Sequence, residues 1–237
     1  MAMNLTLRDF IKQAGTHIGA SCSLPTLRGI DTALNYLWVG HWMRARGFLS
    51  PKRLGSREQI FEMVAARIGD LDVLYLEFGV YGGTSMRNWS RLLRNPKSKL
   101  DGFDSFEGLP EAWGETKQGH FTTGGAIPTI GDPRVSFFKG WFSETLPEYF
   151  LPLHDVLFVT LDADLYSSTK TVLDFISPHV SVGTYLYFDE FHFRDHELRA
   201  FDEFLSTTHH RFSLVATDPG MSRVLFQCVS HQGGELS

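Results

Sequence analysis

The sequence predicts an α/β protein with a mostly parallel, seven-stranded sheet, helices on both faces and the last strand antiparallel. Three observations predict it. From about residue 73, strand-like apolar runs alternate with helix-like amphipathic ones, the pattern of strands joined by helical crossovers. The first of these strands runs into a glycine-rich turn that opens a helix, "LEFGVYGGTS". The last two strands are separated only by "DPGM", a tight turn that forces a hairpin.

The strands fall at 73–80, 99–106, 134–142, 155–163, 183–191, 212–218 and 222–230, each rich in β-branched and aromatic residues. Helical spacing follows in "TSMRNWSRLLR", "SETLPEYF", "SSTKTVLDFISPHV" and "DHELRAFDEFLSTTHH". Residues 1–70 differ. Segments 27–47 and 56–69 read as helices with "FLSPKRLGS" as the loop between them, together a helical cap for a domain spanning 71–237. That cap is expected to pack on the sheet, to shape a substrate pocket or to make a dimer contact through Trp38, Trp42 and Phe48. The stretch 114–133, rich in Gly and Thr, is expected to be a mobile lid or disordered.

Composition excludes some partners. With 22 Lys and Arg against 27 Asp and Glu, the chain lacks the concentrated positive charge that a nucleic-acid backbone demands. No run approaches the ~20 apolar residues of a membrane span, and "MAMNLTLRDF" has no basic segment followed by an apolar core. Cys22 and Cys228 have no metal or redox spacing and are expected as free thiols of a cytoplasmic protein.

The chemistry concentrates at the strand ends. Ligands of doubly wound sheets bind outside the carboxyl ends of the strands. The first turn reads Glu-x-Gly-x-x-Gly-Gly, not the G-x-G-x-x-G of a dinucleotide site. An acid at Glu77 suits a ligand ammonium and repels a pyrophosphate, which favours S-adenosylmethionine over NAD. Gly79, Gly82 and Gly83 permit close backbone approach beside Tyr81, with Thr84 or Ser85 capping the helix. Asp104, beside Ser105 at the second strand's end, is placed to accept from ribose hydroxyls. Gly140, Trp141 and Phe142 end the third and are candidates to flank an adenine, with Ser143 read as a helix cap.

Strands four and five are expected side by side, ending in Asp162 and Asp164 and in Asp189 and Glu190. Four clustered carboxylates repel one another without a cation, so a Mg²⁺ held by Asp162, Asp189 and Glu190 is the expected account. Asp162 is also a candidate cofactor contact. The metal would acidify a substrate hydroxyl, and Asp164 would take its proton, with His192 the rival base. A metal-independent enzyme and a catalytically silent cofactor-binding or scaffold protein are the alternatives.

Taken in order, "LEFGVYGGTS", "GFDSFEGLPE", "KGWFSETLP", "LDADLYSSTK" and "YFDEF" make residues 73–230 resemble the macrocin-type O-methyltransferases. These methylate sugar hydroxyls of macrolide and aminocoumarin antibiotics. The resemblance implies a Rossmann-like class I methyltransferase using S-adenosylmethionine on a small hydroxylated acceptor. It also implies Mg²⁺ on Asp162, Asp189 and Glu190, with Asp164 as the matching base. Glu190 stands where the family commonly has Asp, and the first ~70 residues differ from the family's usual segment.

Overall fold

A computed structural model describes residues 6–48 and 51–231. The chain divides into two units, Met1–Ala45 and Arg46–Ser237. The first unit consists of α1 (Leu7–Ala20) and α2 (Leu24–Arg46), the latter ending at the boundary. Helix α1 was not expected from the sequence. It starts with a capping box in which Thr6 Oγ1 accepts from the Asp9 amide and Asp9 Oδ2 from the Thr6 amide, so two otherwise unpaired amides are satisfied reciprocally.

The second unit runs β1 (Lys52–Arg53), α3 (Arg57–Ile68), β2 (Val73–Phe78), α4 (Thr84–Leu92), β3 (Lys99–Asp104), β4 (Val135–Lys139) and α5 (Phe142–Thr145). It continues through β5 (Val156–Leu161), α6 (Tyr166–Ile176), β6 (Tyr185–Phe188), α7 (Glu197–Thr207), β7 (His210–Thr217) and β8 (Val224–His231). All seven expected strands form. The sheet has an eighth because Lys52 and Arg53, read as loop, pair in parallel with Ala216 and Thr217 of β7. Sheet order is β1-β7-β8-β6-β5-β2-β3-β4. As expected, β8 is the antiparallel strand, against both β6 and β7. The turn between β7 and β8 is closed by Asp218, whose Oδ1 accepts from the amides of Ser222 and Arg223, an Asx-type closure.

Burial explains why these strands read as continuous apolar runs. Every residue of β2 and of β6 is buried, as expected of parallel strands covered on both faces. Helix α3, read from sequence with the N-terminal segment, lies in the second unit and buries Ile60, Phe61, Val64, Ala65 and Ile68. Its Phe61 ring centroid lies 5.1 Å from Trp89 and 4.9 Å from Tyr187. Phe48 is buried, 5.0 Å from Phe226, which overturns its reading as an exposed contact. Cys22 and Cys228 are free thiols. No helix among the described residues is long and apolar enough to cross a membrane.

Two features position the site. From β2 the chain winds outward one way through β3 and β4, and from β5 the other way to β6. The switch point between β2 and β5 opens a crevice at their carboxyl ends. Register then aligns the residues that leave the strands. Phe78 pairs with Leu161 and Leu161 with Phe188, so Gly79, Asp162 and Asp189 emerge side by side.

Candidate active site

A cavity of about 750 Å³ opens at this crevice, within the ~300–1,000 Å³ usual for small-molecule sites. Residues expected to contact a cofactor form much of its wall: Gly79, Tyr81, Asp104, Ser105, Gly140, Trp141, Phe142 and Asp162 all line it. Asp164, Asp189 and Glu190 line it too. Glu77, Gly82, Gly83, Ser85 and His192 are not among the lining residues.

Glu77 is 2% exposed, and Oε2 accepts from the Tyr75 hydroxyl at 2.9 Å. Burial pushes its carboxyl up to about 8, and a cationic group beside it would favour the ionised form. Gly83, with φ 73°, is itself the residue before α4 and no side chain caps that helix. The left-handed turn redirects the chain, and Thr84 is already helical. The expected cap at Thr84 or Ser85 is thereby corrected; Ser85 is buried. Ser143 is likewise no cap, being the second residue of α5 and part of the cavity wall.

Asp104 carries more than a ligand's share of hydrogen bonds. Oδ2 accepts from the Val80 and Tyr81 amides at 2.8 and 2.7 Å, and Oδ1 from the Phe106 amide at 2.7 Å. An ionised carboxylate has about four acceptor positions, so one remains for a ligand hydroxyl. The segment 114–133 folds back on the strand-end loop: the Leu109 amide donates to His120 O, and the Thr123 and Gly125 amides to Phe106 O. Gln118 and Phe121 from this segment, with Trp113 just before it, wall the cavity. Sequence reasoning expected a lid over cofactor and substrate in 114–133 without naming these residues, and it missed Ser167, Ser168 and Thr171 of α6.

The acid cluster is densely coupled. Burial, then Asp189 and Asp164, push Asp162 well above the usual carboxylate range. Burial with Glu190 and Asp189 raises Asp164 to about 7, and burial with Asp189 raises Glu190 to about 7. A fifth acid, Glu197, is fully buried. Its Oε2 accepts from the Glu190 amide at 3.0 Å, while Oε1 has no hydrogen-bond partner among the described residues. Asp189 Oδ1 accepts from the Tyr187 hydroxyl at 2.6 Å and from Arg223 Nε at 3.3 Å. Arg57 Nη1 lies 3.5 Å from Asp162 Oδ2 and 3.6 Å from Asp189 Oδ1. His192 Nδ1 is 3.6 Å from Glu190 Oε2, and burial lowers its pKa.

Among the described residues, no three His, Cys, Asp or Glu side chains converge on one cation position. The expected trio Asp162, Asp189 and Glu190 is therefore adjacent but not gathered: Arg57 stands between the first two, and Glu190 turns toward His192. In donor chemistry the residues do fit Mg²⁺. They are hard oxygens, and neighbouring acids add to burial in raising the carboxyls of Asp162, Asp164 and Glu190, the setting in which a cation would favour their ionised forms.

Asp164 occupies a left-handed conformation, φ 58°, at the centre of a three-residue turn closed by the Leu165 amide on Ala163 O at 2.6 Å. Such a conformation is uncommon for a residue with a side chain. Asp164 lines the cavity two residues past Asp162.

The sheet is doubly wound with β8 reversed, and Asp104, Asp162, Asp164, Asp189 and Glu190 line the crevice at its β2/β5 switch point. Residues 129–219 match the family model described as macrocin O-methyltransferase (TylF). The 8-demethyl-8-(2,3-dimethoxy-alpha-L-rhamnosyl)-tetracenomycin-C 4'-O-methyltransferase of Streptomyces olivaceus is 30% identical over an alignment of 213 residues. That alignment takes in 79% of this chain and 75% of the relative. The demethyldecarbamoylnovobiocin O-methyltransferase of Streptomyces niveus is 40% identical over 60 residues, 25% of this chain and 22% of that one. The chain belongs to the macrocin O-methyltransferase family and is an S-adenosylmethionine-dependent O-methyltransferase. The solved fold agrees. CalS11, a calicheamicin methyltransferase, superposes with a TM-score of 0.56 at 21% identity over 95% of this chain and 94% of its own. The O-methyltransferase NovP gives 0.57 at 23% identity over 73% and 80%.

Proposed function

We propose that the protein methylates a hydroxyl of a small molecule, a sugar or a secondary metabolite, with Mg²⁺ assisting. The observation that carries this reading is that Asp164 lines the cavity together with Asp162, Asp189 and Glu190. S-adenosylmethionine supplies an electrophilic methyl group, and Mg²⁺, when bound, a Lewis acid that makes the acceptor hydroxyl easier to deprotonate. Asp162, Asp189 and Glu190 are the residues to hold that ion.

The chain's own residues do the rest. Asp164 accepts the proton of the acceptor hydroxyl as that hydroxyl's oxygen forms the new bond to the methyl carbon; the carbon–sulfur bond breaks with its electron pair on sulfur, and S-adenosylhomocysteine leaves. Asp104 keeps the Val80–Tyr81 backbone in place against the cofactor and offers its remaining lone pair to a ribose hydroxyl. Trp141 and Phe142 provide apolar surface for an adenine ring. Trp113 and Phe121 exclude water on the acceptor side and align the reactants. Asp164 lines the cavity and His192 is not among the lining residues, so Asp164 is the preferred base.

Support for sugar-type acceptors comes from the relatives' names, which describe rhamnosyl-tetracenomycin and novobiocin-type substrates. A metal-independent reading is favoured by one observation, the guanidinium of Arg57 between Asp162 and Asp189. The test is methyl transfer from labelled S-adenosylmethionine to a panel of glycosylated and free hydroxylated acceptors, with and without EDTA. Transfer that stops with EDTA and returns with Mg²⁺ supports the proposal. EDTA-resistant transfer selects the metal-independent enzyme, and absence of cofactor binding overturns the assignment.

A further inference from the structure

Helix α3 begins at Arg57, after Ser56, whose Oγ accepts from the Gln59 amide. Four residues on, on the same helix face, Phe61 is 1% exposed and meets Tyr187 at 4.9 Å between ring centroids. Asp189 follows the last residue of β6, two residues past Tyr187, and the Tyr187 hydroxyl donates to it. Phe61 therefore docks α3 against Tyr187, and Arg57 is delivered to the carboxyl ends of β5 and β6. Arg223 and Tyr187 each reach Asp189. Arg57 reaches both Asp189 and Asp162.

We propose that Arg57 is the resident counter-cation of the Asp162–Asp189 pair, and that a divalent cation entering the cluster must displace it. This rests on the Mg²⁺ reading above. The two contacts, 3.5 and 3.6 Å, are longer than good hydrogen bonds of ~2.7–3.2 Å, so the hold is Coulombic and not tied to one geometry. Guanidinium does not lose its proton in proteins, so its charge can leave the pair only by movement. With 22% of its side chain exposed, it has solvent to move toward. A dication ligated at ~2.1 Å attracts the same carboxylates more strongly than a monocation at the observed distances. Arg57 thus acts as a positioning residue. It lets the acid pair fold without metal, keeps the ligands from converging until metal arrives, and sets the metal affinity.

The test uses the full-length chain and needs no acceptor. Mn²⁺ binding is followed by electron paramagnetic resonance and Mg²⁺ binding by calorimetry, on wild type, Arg57→Met, Arg57→Lys and Asp162→Asn. Arg57→Met is expected to bind Mn²⁺ about tenfold tighter or more, since a like charge is removed from the site. Arg57→Lys keeps the charge on a less committed arm and falls between. Without metal, Arg57→Met melts below wild type, and Mg²⁺ restores it. Equal or weaker Mn²⁺ binding in Arg57→Met, with binding still abolished in Asp162→Asn, overturns the role of Arg57 and leaves the metal reading standing. Absence of Mn²⁺ binding in every form overturns both. Where Arg57→Met does not fold, Arg57→Lys against wild type carries the same comparison, and unchanged affinity there overturns the proposal.

Discussion

The backbone of Gly79 lies against the carbonyl of Asp162 so closely that a Cβ on Gly79 would stand 1.9 Å from that oxygen. Gly79 also has φ 92°, a conformation that residues with a side chain rarely adopt. The glycine that opens the cofactor turn is thus required first by the neighbouring strand. Asp162 can sit beside the turn because nothing projects from Gly79. Gly79→Ala combines left-handed strain with a backbone clash and is expected to cost roughly 3 kcal/mol or more. Urea unfolding of the cofactor-free variant measures this. Wild-type stability with weakened S-adenosylmethionine binding would instead assign the glycine to ligand approach alone.

Asp104 has a comparable double role. Three backbone amides converge on its carboxylate, and they belong to the two strand-end loops that flank the cofactor crevice. Asp104→Asn has a single acceptor oxygen, so at least one amide faces an NH₂ group. Leaving a partly buried donor unpaired costs about 1–3 kcal/mol, and this loss is expected in the apoprotein, by thermal melting, along with weaker cofactor binding. A carboxylate that served only the ribose would leave the apoprotein's melting temperature unchanged.

These two residues show what the sequence could convey. The strands were legible because buried parallel strands are nearly continuous apolar runs, and β8's direction because "DPGM" permits only a hairpin. The two-residue strand Lys52–Arg53 has no pattern to read: its pairing depends on where the end of β7 arrives. Helix α1 did leave a signal, the Thr6–Asp9 capping box, ahead of apolar residues at Phe10 and Ile11. At the site, residue identities were legible and their partners were not. Glu77 and Gly83 belong to the turn motif, yet one is buried under Tyr75 and the other redirects the chain into α4. Arg57 looks in sequence like a solvated charge in a helix's first turn. Its place over the acids follows only from how Phe61 docks α3.

Asp164 separates backbone from chemistry. Its φ of 58° is tolerated by Asn nearly as well as by Asp, so Asp164→Asn is expected to fold with wild-type stability and bind cofactor normally. As the proposed base, its loss should lower kcat by about 10²- to 10⁴-fold. Asp164→Ala should show the same kinetic loss plus about 1 kcal/mol of instability from the left-handed backbone. His192→Gln should leave kcat unchanged. Steady-state kinetics with any acceptor found in the panel decides the matter: a fully active Asp164→Asn beside an inactive His192→Gln would exchange the roles.

Away from the cavity, Arg134 closes the end of α4. Nη1 donates to Leu93 O and Asn95 O at 2.7 and 3.0 Å, and Nη2 to Ser90 O at 2.6 Å, satisfying carbonyls that a helix end leaves open. Asp132 holds the guanidinium in that pose through Nε and Nη2 and accepts from the Ser90 hydroxyl. Both side chains are about 15% exposed, and the guanidinium holds the Asp132 carboxyl well below the usual range. A folded pKa depressed in this way stabilises the protein fully above the unfolded carboxylate's pKa of ~3.9, and the contribution is lost as pH falls below it. Unfolding by urea between pH 7 and pH 3 should therefore show an acid-side loss of stability that Asp132→Asn reduces. Arg134→Met strands a nearly buried carboxylate and should cost about 3–5 kcal/mol at pH 7, less when combined with Asp132→Asn than the two single losses added. Strict additivity in that cycle, or an acid limb unchanged by Asp132→Asn, would show that the pair does not anchor α4.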